Sequence, residues 1–331
     1  MEYRKLGTSQ LELPVITFGA WAAGGWMWGG ADRKEAVKAI RAAYDEGVTA
    51  IDTAPIYGQG TSEEIVGEAL DGLPRDRVQV LTKFGMRWDL KKGEFAMKSL
   101  DNAGRPIEVY KYAGKESVVF ECEQSLRRLG TDHIDLLQLH WPDPTTPISG
   151  TMEALEQLVQ QGKVRYAGVC NYNVEQLDEA RKHVALISDQ VPYSMVKRDI
   201  EEATVPYVMK HGLGILAYSP MERGLLTGKI QPDHVFAEGD HRTGLRTYRP
   251  ENIRRVNAML DELRPLAADK GITLGQLVLR WTVDRPGITV ALAGARDAQQ
   301  AVENARAAGV RFSAEERERI DQAVKALQLP A

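Results

Sequence analysis

The feature that most constrains this chain is the regular alternation of short apolar segments with amphipathic helical segments. Eight apolar segments of five to seven residues recur, each followed by a segment whose apolar residues have helical spacing. Short apolar runs between helices are typical of buried parallel strands. The alternation therefore predicts a parallel β-sheet covered by helices. The predicted strands are residues 15–19, 48–52, 78–83, 134–140, 164–169, 186–190, 214–218 and 287–292.

Two sheet architectures fit this alternation, a closed (β/α)8 barrel and an open doubly wound sheet. The open sheet predicts a G-x-G-x-x-G fingerprint after the first strand, but the glycine pairs at 24–25 and 29–30 do not have that spacing. A length of 331 residues lies within the range of a single barrel. We therefore predict one α/β domain over residues 1–331, a (β/α)8 TIM barrel with an N-terminal β-hairpin and two extra helices.

Three consecutive predicted strands end in an ionisable residue, which is unfavourable in an apolar core and favours a functional site. The second, third and fourth strands end in Asp52, Lys83 and His140, and Tyr57 lies in the turn after Asp52. In a barrel the carboxyl ends of all strands converge on one face, so we expect these four side chains to share a pocket. Each residue alone is more often structural, but the four together favour a catalytic site.

The four residues suit the reduction of a carbonyl group. Lys83 paired with Asp52 and placed beside Tyr57 would favour the phenolate, so we expect the pKa of Tyr57 to fall below its reference of about 10. Such a phenol can act as a general acid, and His140 can orient the substrate oxygen. Protein side chains cannot supply hydride, so this chemistry implies a nicotinamide cofactor.

Two long connections interrupt the alternation, at residues 85–115 and 221–250. The first has no sustained period, and we expect a long loop that lies over the catalytic face and shapes substrate choice. Aromatic residues are common in small-molecule sites, and four tryptophans are candidates for the pocket mouth. These candidates are Trp21, Trp26, Trp88 and Trp141, although Trp26 could equally pack within its loop.

Composition narrows the partners and the compartment. The net charge is −4 and no basic block occurs, which argues against nucleic acid as the main partner. The two cysteines indicate no disulfide framework and favour a reducing compartment. No apolar leader and no apolar run of membrane-spanning length is visible, so we expect a soluble cytoplasmic protein. We assign no metal ligands, and the oligomeric state stays open.

Several spaced motifs resemble one family, the aldo-keto reductases, over essentially the whole chain. The region around Lys229 and the loop at 141–147 resemble the branch with bacterial inositol-dehydrogenase-type reductases and potassium-channel β subunits. The matching motifs are residues 52–54, 57–58, 82–83, 139–140, 162–165, 168–169, 190, 218–220, 224–229, 294–296 and 303–304.

The resemblance implies a role for each matching residue. Tyr57 is the expected proton donor, Asp52 and Lys83 set its pKa, and His140 orients the carbonyl. Asn171 and Gln190 are expected to hold the nicotinamide carboxamide, on whose ring Tyr218 stacks. The rest of the expected cofactor set is Trp21 and Asp52 near the nicotinamide, then Ser219, Pro220, Met221, Gly224, Leu225 and Lys229 at the pyrophosphate, and Gly294, Arg296, Gln300, Glu303 and Asn304 at the adenosine.

The chain departs from the family pattern at three positions. Cys170 replaces the usual Ser before Asn171, and Ala20 replaces a Thr that often contacts the ribose. Arg296 suits the 2′-phosphate of NADP(H), whereas the adjacent Asp297 weakens the local positive field. We therefore expect NADP(H) to be favoured, with NAD(H) as the alternative.

Three functions remain open on these grounds. The first is an NADP(H)-dependent reductase of aldehydes and ketones, including sugar or polyol-type substrates, with a small-molecule carbonyl or alcohol as its partner. The second is a cofactor-binding redox sensor like a channel β subunit, disfavoured because that branch lacks a histidine at the position of His140. The third is an aldolase or isomerase in which Lys83 forms a Schiff base.

Overall fold

The computed structural model of the protein describes residues 1–329. Within that range thirteen strands and ten α-helices occur in chain order. The strands are β1 (Tyr3–Lys5), β2 (Glu12–Pro14), β3 (Ile16–Gly19), β4 (Ala50–Asp52), β5 (Gln79–Phe84), β6 (Met86–Arg87), β7 (Glu94–Leu100), β8 (Pro106–Lys111), β9 (Ile134–Leu139), β10 (Val164–Cys170), β11 (Leu186–Pro192), β12 (Gly214–Tyr218) and β13 (Ile288–Ala293). The helices are α1 (Arg33–Asp45), α2 (Thr61–Leu70), α3 (Lys115–Leu129), α4 (Ile148–Gln160), α5 (Val174–Ala180), α6 (Thr204–His211), α7 (Pro250–Asp269), α8 (Leu274–Val283), α9 (Ala298–Arg306) and α10 (Ala314–Ala326).

Eight parallel strands close into a barrel, which confirms the predicted fold class. Around the barrel the order is β3, β4, β5, β9, β10, β11, β12 and β13, and β13 pairs with β3. Each barrel strand therefore hydrogen-bonds to the next barrel strand along the chain. All eight predicted strands are present, and their carboxyl ends lie at one end of the barrel.

The predicted N-terminal hairpin is present and closes the opposite end of the barrel. Strands β1 and β2 pair antiparallel. Leu6, Leu11 and Leu13 are buried in one apolar cluster with side chains from the barrel interior. Gly7 turns the hairpin with a φ of 59°, and a Cβ at this position would lie 2.6 Å from the carbonyl oxygen of Ile187. The hairpin is therefore pressed against the barrel strands as a floor.

Helices cover the outside of the barrel, and a large apolar cluster lies between the two layers. Side chains cap two of these helices: Asp32 accepts from two backbone N–H groups at the start of α1, and Ser313 with Glu316 forms a capping box at α10. The two extra helices are α7 and α10, where Arg319 donates to the carbonyl oxygen of Glu262 at 2.8 Å. Within residues 1–329 no helix combines the length and apolarity needed to cross a membrane.

The segment 85–115 is not the loop that the sequence predicted, because most of it forms a three-stranded antiparallel sheet. The strand order is β6-β8-β7, and this insert sheet (β6, β7 and β8) is separate from the barrel. The expectation of a loop was wrong because β7 has no clean alternation of buried and exposed residues and its register shifts between Phe95 and Met97. Trp26 Nε1 donates to Ser99 Oγ at 3.0 Å, so the insert sheet lies beside the catalytic end of the barrel.

Candidate active site

The centre of the site is a buried ion pair between neighbouring strand ends. Lys83 Nζ donates to Asp52 Oδ1 at 2.5 Å and to the carbonyl oxygen of Thr53 at 2.9 Å. Both charged side chains are almost fully buried. Burial alone would lower the pKa of Lys83, but Asp52 and Tyr57 raise it above its ordinary value, so Lys83 is an ammonium. A buried ammonium is not a nucleophile, which argues against the Schiff-base function.

Tyr57 lies against this ion pair, but its acidity differs from the expectation. Its hydroxyl is 3.4 Å from Lys83 Nζ. Burial raises the pKa of Tyr57 to about 12, because desolvation of the phenolate outweighs the effect of Lys83, and Asp52 adds to the rise. The expected fall below the reference value was therefore wrong. Tyr57 is a protonated hydroxyl across the neutral range, which is the state that a proton donor requires.

His140 follows β9 and faces Tyr57. The two rings meet edge to face, with centroids 5.7 Å apart. Burial, together with the nearby Lys83, holds the pKa of His140 well below its usual range. The imidazole is therefore neutral and can donate a single N–H to a substrate oxygen without carrying charge into the site.

A cavity of about 630 Å³ opens above these residues and runs along the carboxyl ends of the barrel strands. Lys83 lies behind its wall, whereas Asp52, Tyr57 and His140 line it. Two expected residues are elsewhere: the Leu225 side chain is fully buried in the core, and Trp88 packs in the apolar cluster with the insert sheet. The other expected residues that line the cavity are Trp21, Trp26, Trp141, Asn171, Gln190, Tyr218, Ser219, Pro220, Met221, Gly224, Lys229, Gly294, Arg296, Gln300, Glu303 and Asn304.

Aromatic and apolar side chains form the wall next to Tyr57. Trp21 stacks on Tyr57 with ring centroids 6.0 Å apart, and Trp26 and Trp141 lie nearby on the same cavity. Met86 and Met97 of the insert sheet also line it. This end can hold a small organic molecule against Tyr57 and His140, and the insert sheet contributes to its shape.

The middle of the cavity is built on strained loops. Asn171 has a φ of 60°, and its Oδ1 accepts from the Tyr218 hydroxyl at 3.0 Å. After Tyr218, positive φ values occur at Ser219, Glu222 and Arg223, and then at Gly224. Left-handed conformations in residues other than glycine cost energy and cluster at functional sites. Here they bend the backbone around the cavity.

At the far end of the cavity, Arg296 forms no ion pair with a carboxylate among residues 1–329. Arg296 Nη2 donates to the carbonyl oxygen of Trp28 at 2.9 Å, and its guanidinium lies 5.3 Å from the Trp28 ring. The neighbouring Asp297 does not pair with Arg296. Its oxygens accept from Gln300 N at 2.8 Å and from Gln300 Nε2 at 2.7 Å, and it caps α9. Asp297 therefore weakens the positive field around Arg296 less than expected from the sequence.

The residues present fit a nicotinamide dinucleotide. The indole N–H groups of Trp21 and Trp28 and the Nε–H of Arg223 are buried donors with no acceptor among residues 1–329. Buried donors need acceptors, and phosphate and ribose oxygens would supply them. Arg223, Lys229 and Arg296 all line the same cavity and suit an anionic ligand.

Sequence reasoning missed several residues of the site. Gln138 donates to Asp52 from within β9, and the pattern of an apolar strand gave no reason to single it out. His241 packs 4.8 Å from the Trp21 ring, and its Nδ1 donates to the carbonyl oxygen of Met27 at 2.7 Å. The signal for His241 was weak, because it lies in a polar, Gly-rich connection. These contacts join the loop after β3 to residues 231–249 across the cavity.

Comparison with known proteins agrees with this geometry. The family model described as Aldo/keto reductase family matches residues 15–325. The aldo-keto reductase YhdN of Bacillus subtilis is 38% identical over 298 residues, which are 89% of this chain and 85% of that protein. The NADH-specific methylglyoxal reductase of Escherichia coli is 36% identical over 313 residues, which are 93% of this chain and 94% of that protein.

A solved structure gives the same result for the fold. The glycerol dehydrogenase from Gluconobacter oxydans superposes with a TM-score of 0.87 at 36% identity and covers 99% of this chain and 97% of its own. Sequence, barrel and site agree over nearly the full length: the chain belongs to the aldo/keto reductase family and is a nicotinamide-dependent oxidoreductase.

Proposed function

We propose that this protein reduces aldehydes and ketones with a preference for NADPH, and that Tyr57 is the general acid. The observation that carries the proposal is the position of the Tyr57 hydroxyl, which lies 3.4 Å from the buried Lys83 ammonium and lines the cavity. When bound, the nicotinamide supplies or accepts the hydride at the carbonyl carbon. Tyr57 gives its proton to the carbonyl oxygen, and the neutral His140 orients that oxygen by a hydrogen bond.

Lys83 lowers the cost of the proton transfer. As Tyr57 loses its proton, negative charge develops beside the ammonium, where a dry surrounding strengthens the attraction. Asp52 fixes the ammonium, since its carboxylate oxygen is 2.5 Å from Lys83 Nζ. The presence of His140 next to Tyr57 favours turnover over the sensor function, because the β-subunit branch lacks that histidine.

The preference for NADPH rests on the far end of the cavity. Burial and the nearby Arg242 guanidinium lower the pKa of Arg296, so an anion beside Arg296 would relieve repulsion. The 2′-phosphate of NADPH is such an anion, and a guanidinium can bind it through two N–H groups. The relative from Escherichia coli is named NADH-specific, which makes this preference a point to test directly.

The substrate class is a small oxygenated carbonyl compound or the corresponding polyol. Two relatives are named for methylglyoxal and glycerol, which are three-carbon compounds of this kind. The aromatic wall around Trp21 and Trp141 leaves room for such a molecule next to Tyr57. Larger sugar-like carbonyls belong in the same test.

The experiment is a panel of aldehydes, ketones and polyols assayed with NADPH and NADH in both directions. We expect NADPH to give the higher kcat/KM, and Arg296→Met to raise the KM for NADPH about tenfold or more while changing that for NADH little. Lys210→Met on the surface of α6 serves as the matched control. Equal or better kcat/KM with NADH would contradict the cofactor preference, and the absence of any carbonyl reduction would contradict the function.

A further inference from the structure

Two buried glutamine side chains, here called the amide pair (Gln138 and Gln190), meet at the catalytic carboxylate. Gln190 Nε2 donates to Asp52 Oδ2 at 2.8 Å and to Gln138 Oε1 at 3.2 Å. Gln138 Nε2 donates to the same Asp52 Oδ2 at 3.2 Å. Both glutamines lie on barrel strands and are almost completely buried. The three side chains therefore form a closed triangle of hydrogen bonds.

Charge fixes which end of each amide faces the carboxylate. Asp52 is paired with the Lys83 ammonium through Oδ1, so its Oδ2 accepts hydrogen bonds and cannot donate one. An amide oxygen turned toward Oδ2 would leave two acceptors in contact, which is repulsive in a buried site. Both amide nitrogens must therefore point at Asp52, as the structure has them.

The orientation of Gln190 follows from the use of both its hydrogens. One N–H is held by Asp52 and the other by Gln138, and two bonds from one nitrogen fix the plane of the amide. No group within residues 1–329 donates to Gln190 Oε1, although the Gln190 side chain lines the cavity. The oxygen is consequently available to the cavity as an acceptor. Gln190 pairs with Cys170, the last residue of β10, and the Gln190 backbone carbonyl accepts from Asn171 N at 3.0 Å.

We propose that Gln138 is a positioning residue, which holds Gln190 Oε1 toward the cavity as an acceptor for the carboxamide N–H of the nicotinamide. The inference rests on the proposed function, because it takes the nicotinamide to lie beside Asn171, Gln190 and Tyr218. Gln138 does not line the cavity and acts only through Gln190 and Asp52. The same carboxylate thus ties the cofactor carboxamide to the Lys83–Tyr57 pair.

This arrangement predicts that the protein binds a cofactor with an N–H donor on the pyridine substituent more tightly than a cofactor without one. A carboxamide has an N–H to give to Gln190 Oε1, whereas the acetyl group of 3-acetylpyridine adenine dinucleotide phosphate has none. Without Gln138 the Gln190 amide keeps a single bond, to Asp52, and can rotate about it. The acceptor then loses its fixed direction, and the two cofactors should bind more nearly alike.

The test measures the dissociation constants of oxidised NADP and its 3-acetylpyridine analogue by quenching of tryptophan fluorescence. The variants are Gln138→Met, Gln190→Met and the double variant, and thermal melting checks that each is folded. The matched control is Gln79→Met. Gln79 is a barrel-strand glutamine whose Oε1 accepts from Thr49 Oγ1 at 2.7 Å, on the hairpin side of the barrel.

In the wild type the carboxamide cofactor should bind roughly fivefold more tightly, as for one net hydrogen bond. The ratio should fall to about twofold or less in Gln138→Met and to about one in Gln190→Met. The double variant should match Gln190→Met, because Gln138 acts only through Gln190. Gln79→Met should keep the wild-type ratio. Should Gln138→Met not fold, Gln138→Leu removes the same amide.

A wild-type ratio retained in Gln138→Met, or no discrimination in the wild type, would overturn the inference. Either result leaves the proposed function intact if NADP still binds and carbonyl compounds are still reduced. If neither cofactor binds the wild type, the proposed function fails and the inference fails with it.

Discussion

Replacing Tyr57 by phenylalanine removes the proposed proton donor with little other change to the site. The aromatic ring remains, so its contacts with Trp21 at 6.0 Å and with His140 at 5.7 Å are kept. Lys83 Nζ loses its longest hydrogen bond, the one of 3.4 Å to the Tyr57 hydroxyl, and keeps the hydrogen bonds to Asp52 and Thr53. The variant should therefore fold normally and bind the cofactor with nearly the wild-type dissociation constant.

The expected loss of kcat for carbonyl reduction follows from the value of a positioned acid. General acid catalysis contributes roughly 10²- to 10⁴-fold, which corresponds to about 3–5 kcal/mol of the activation free energy. The residual rate should come from His140 and from the hydride donor held in place. Because burial raises the pKa of Tyr57 to about 12, wild-type reduction should show no loss from Tyr57 ionisation between pH 6 and 9.

The assay is steady-state reduction of the best aldehyde from the panel, together with cofactor binding by fluorescence. Tyr44→Phe is the matched control and should keep wild-type kcat, because Tyr44 is a half-buried residue of α1 that packs against the apolar layer outside the barrel and does not line the cavity. A Tyr57→Phe enzyme with kcat within about fivefold of the wild type would refute the assignment, since a general acid contributes at least roughly a hundredfold. Loss of cofactor binding would show instead that the ring contacts matter more than the hydroxyl.

Three further predictions follow from other contacts. Lys83→Met leaves the buried Asp52 carboxylate without its ammonium and should lower the free energy of unfolding by roughly 3–5 kcal/mol in urea denaturation, with loss of reduction; an unchanged midpoint would contradict it. Burial raises the pKa of Glu121 from 4.5 to about 7. The protonated Glu121 therefore contributes to the free energy of unfolding below pH 4.5, and this contribution is lost as the pH rises through 7. The Glu121→Gln variant should not show this loss of roughly 3 kcal/mol. If the melting temperature changes equally between pH 5 and pH 8 in the wild type and in the variant, Glu121 is not the cause. Met97→Ala should change the relative kcat/KM of short and long aldehydes without changing cofactor binding, and an unchanged ranking would argue that the insert sheet does not shape the pocket.

The barrel and its catalytic residues were predictable because they depend on local signals. Each strand is a short apolar run with its own boundaries, and the closed architecture then brings all strand ends together. Asp52, Lys83 and His140 could be grouped on this geometry alone. No knowledge of side-chain packing was needed for that step.

The insert sheet was missed because its strands are half-exposed and carry no continuous apolar run. β6 has two residues, and the alternation of intermediate and exposed positions along β7 is broken between Ala96 and Met97, where the register shifts. Such strands are stabilised by pairing with one another and by Trp26 at the barrel, and neither contact is visible in the local pattern. A long segment without periodicity can therefore be ordered by its neighbours.

The direction of the pKa shift of Tyr57 could also not be predicted from the sequence. Proximity to Lys83 could be inferred from barrel geometry, and on its own it lowers the pKa of the phenol. Desolvation acts in the opposite direction and depends on how completely the loops cover the ring. Only the structure shows that burial is the larger effect, and only the structure shows Gln138 and Gln190 at the carboxylate.

The hairpin under the barrel has a kinetic consequence. With Leu6 and Leu13 packed into the amino-terminal end, a dinucleotide and a carbonyl compound would both have to enter from the carboxyl end. The molecule that lies nearer the hairpin must bind first and dissociate last, so the kinetic mechanism should be ordered. In the proposed binding mode the nicotinamide would lie against Asn171, Gln190 and Tyr218, deeper than the carbonyl compound. Release of the dinucleotide would then limit the rate at saturating substrate.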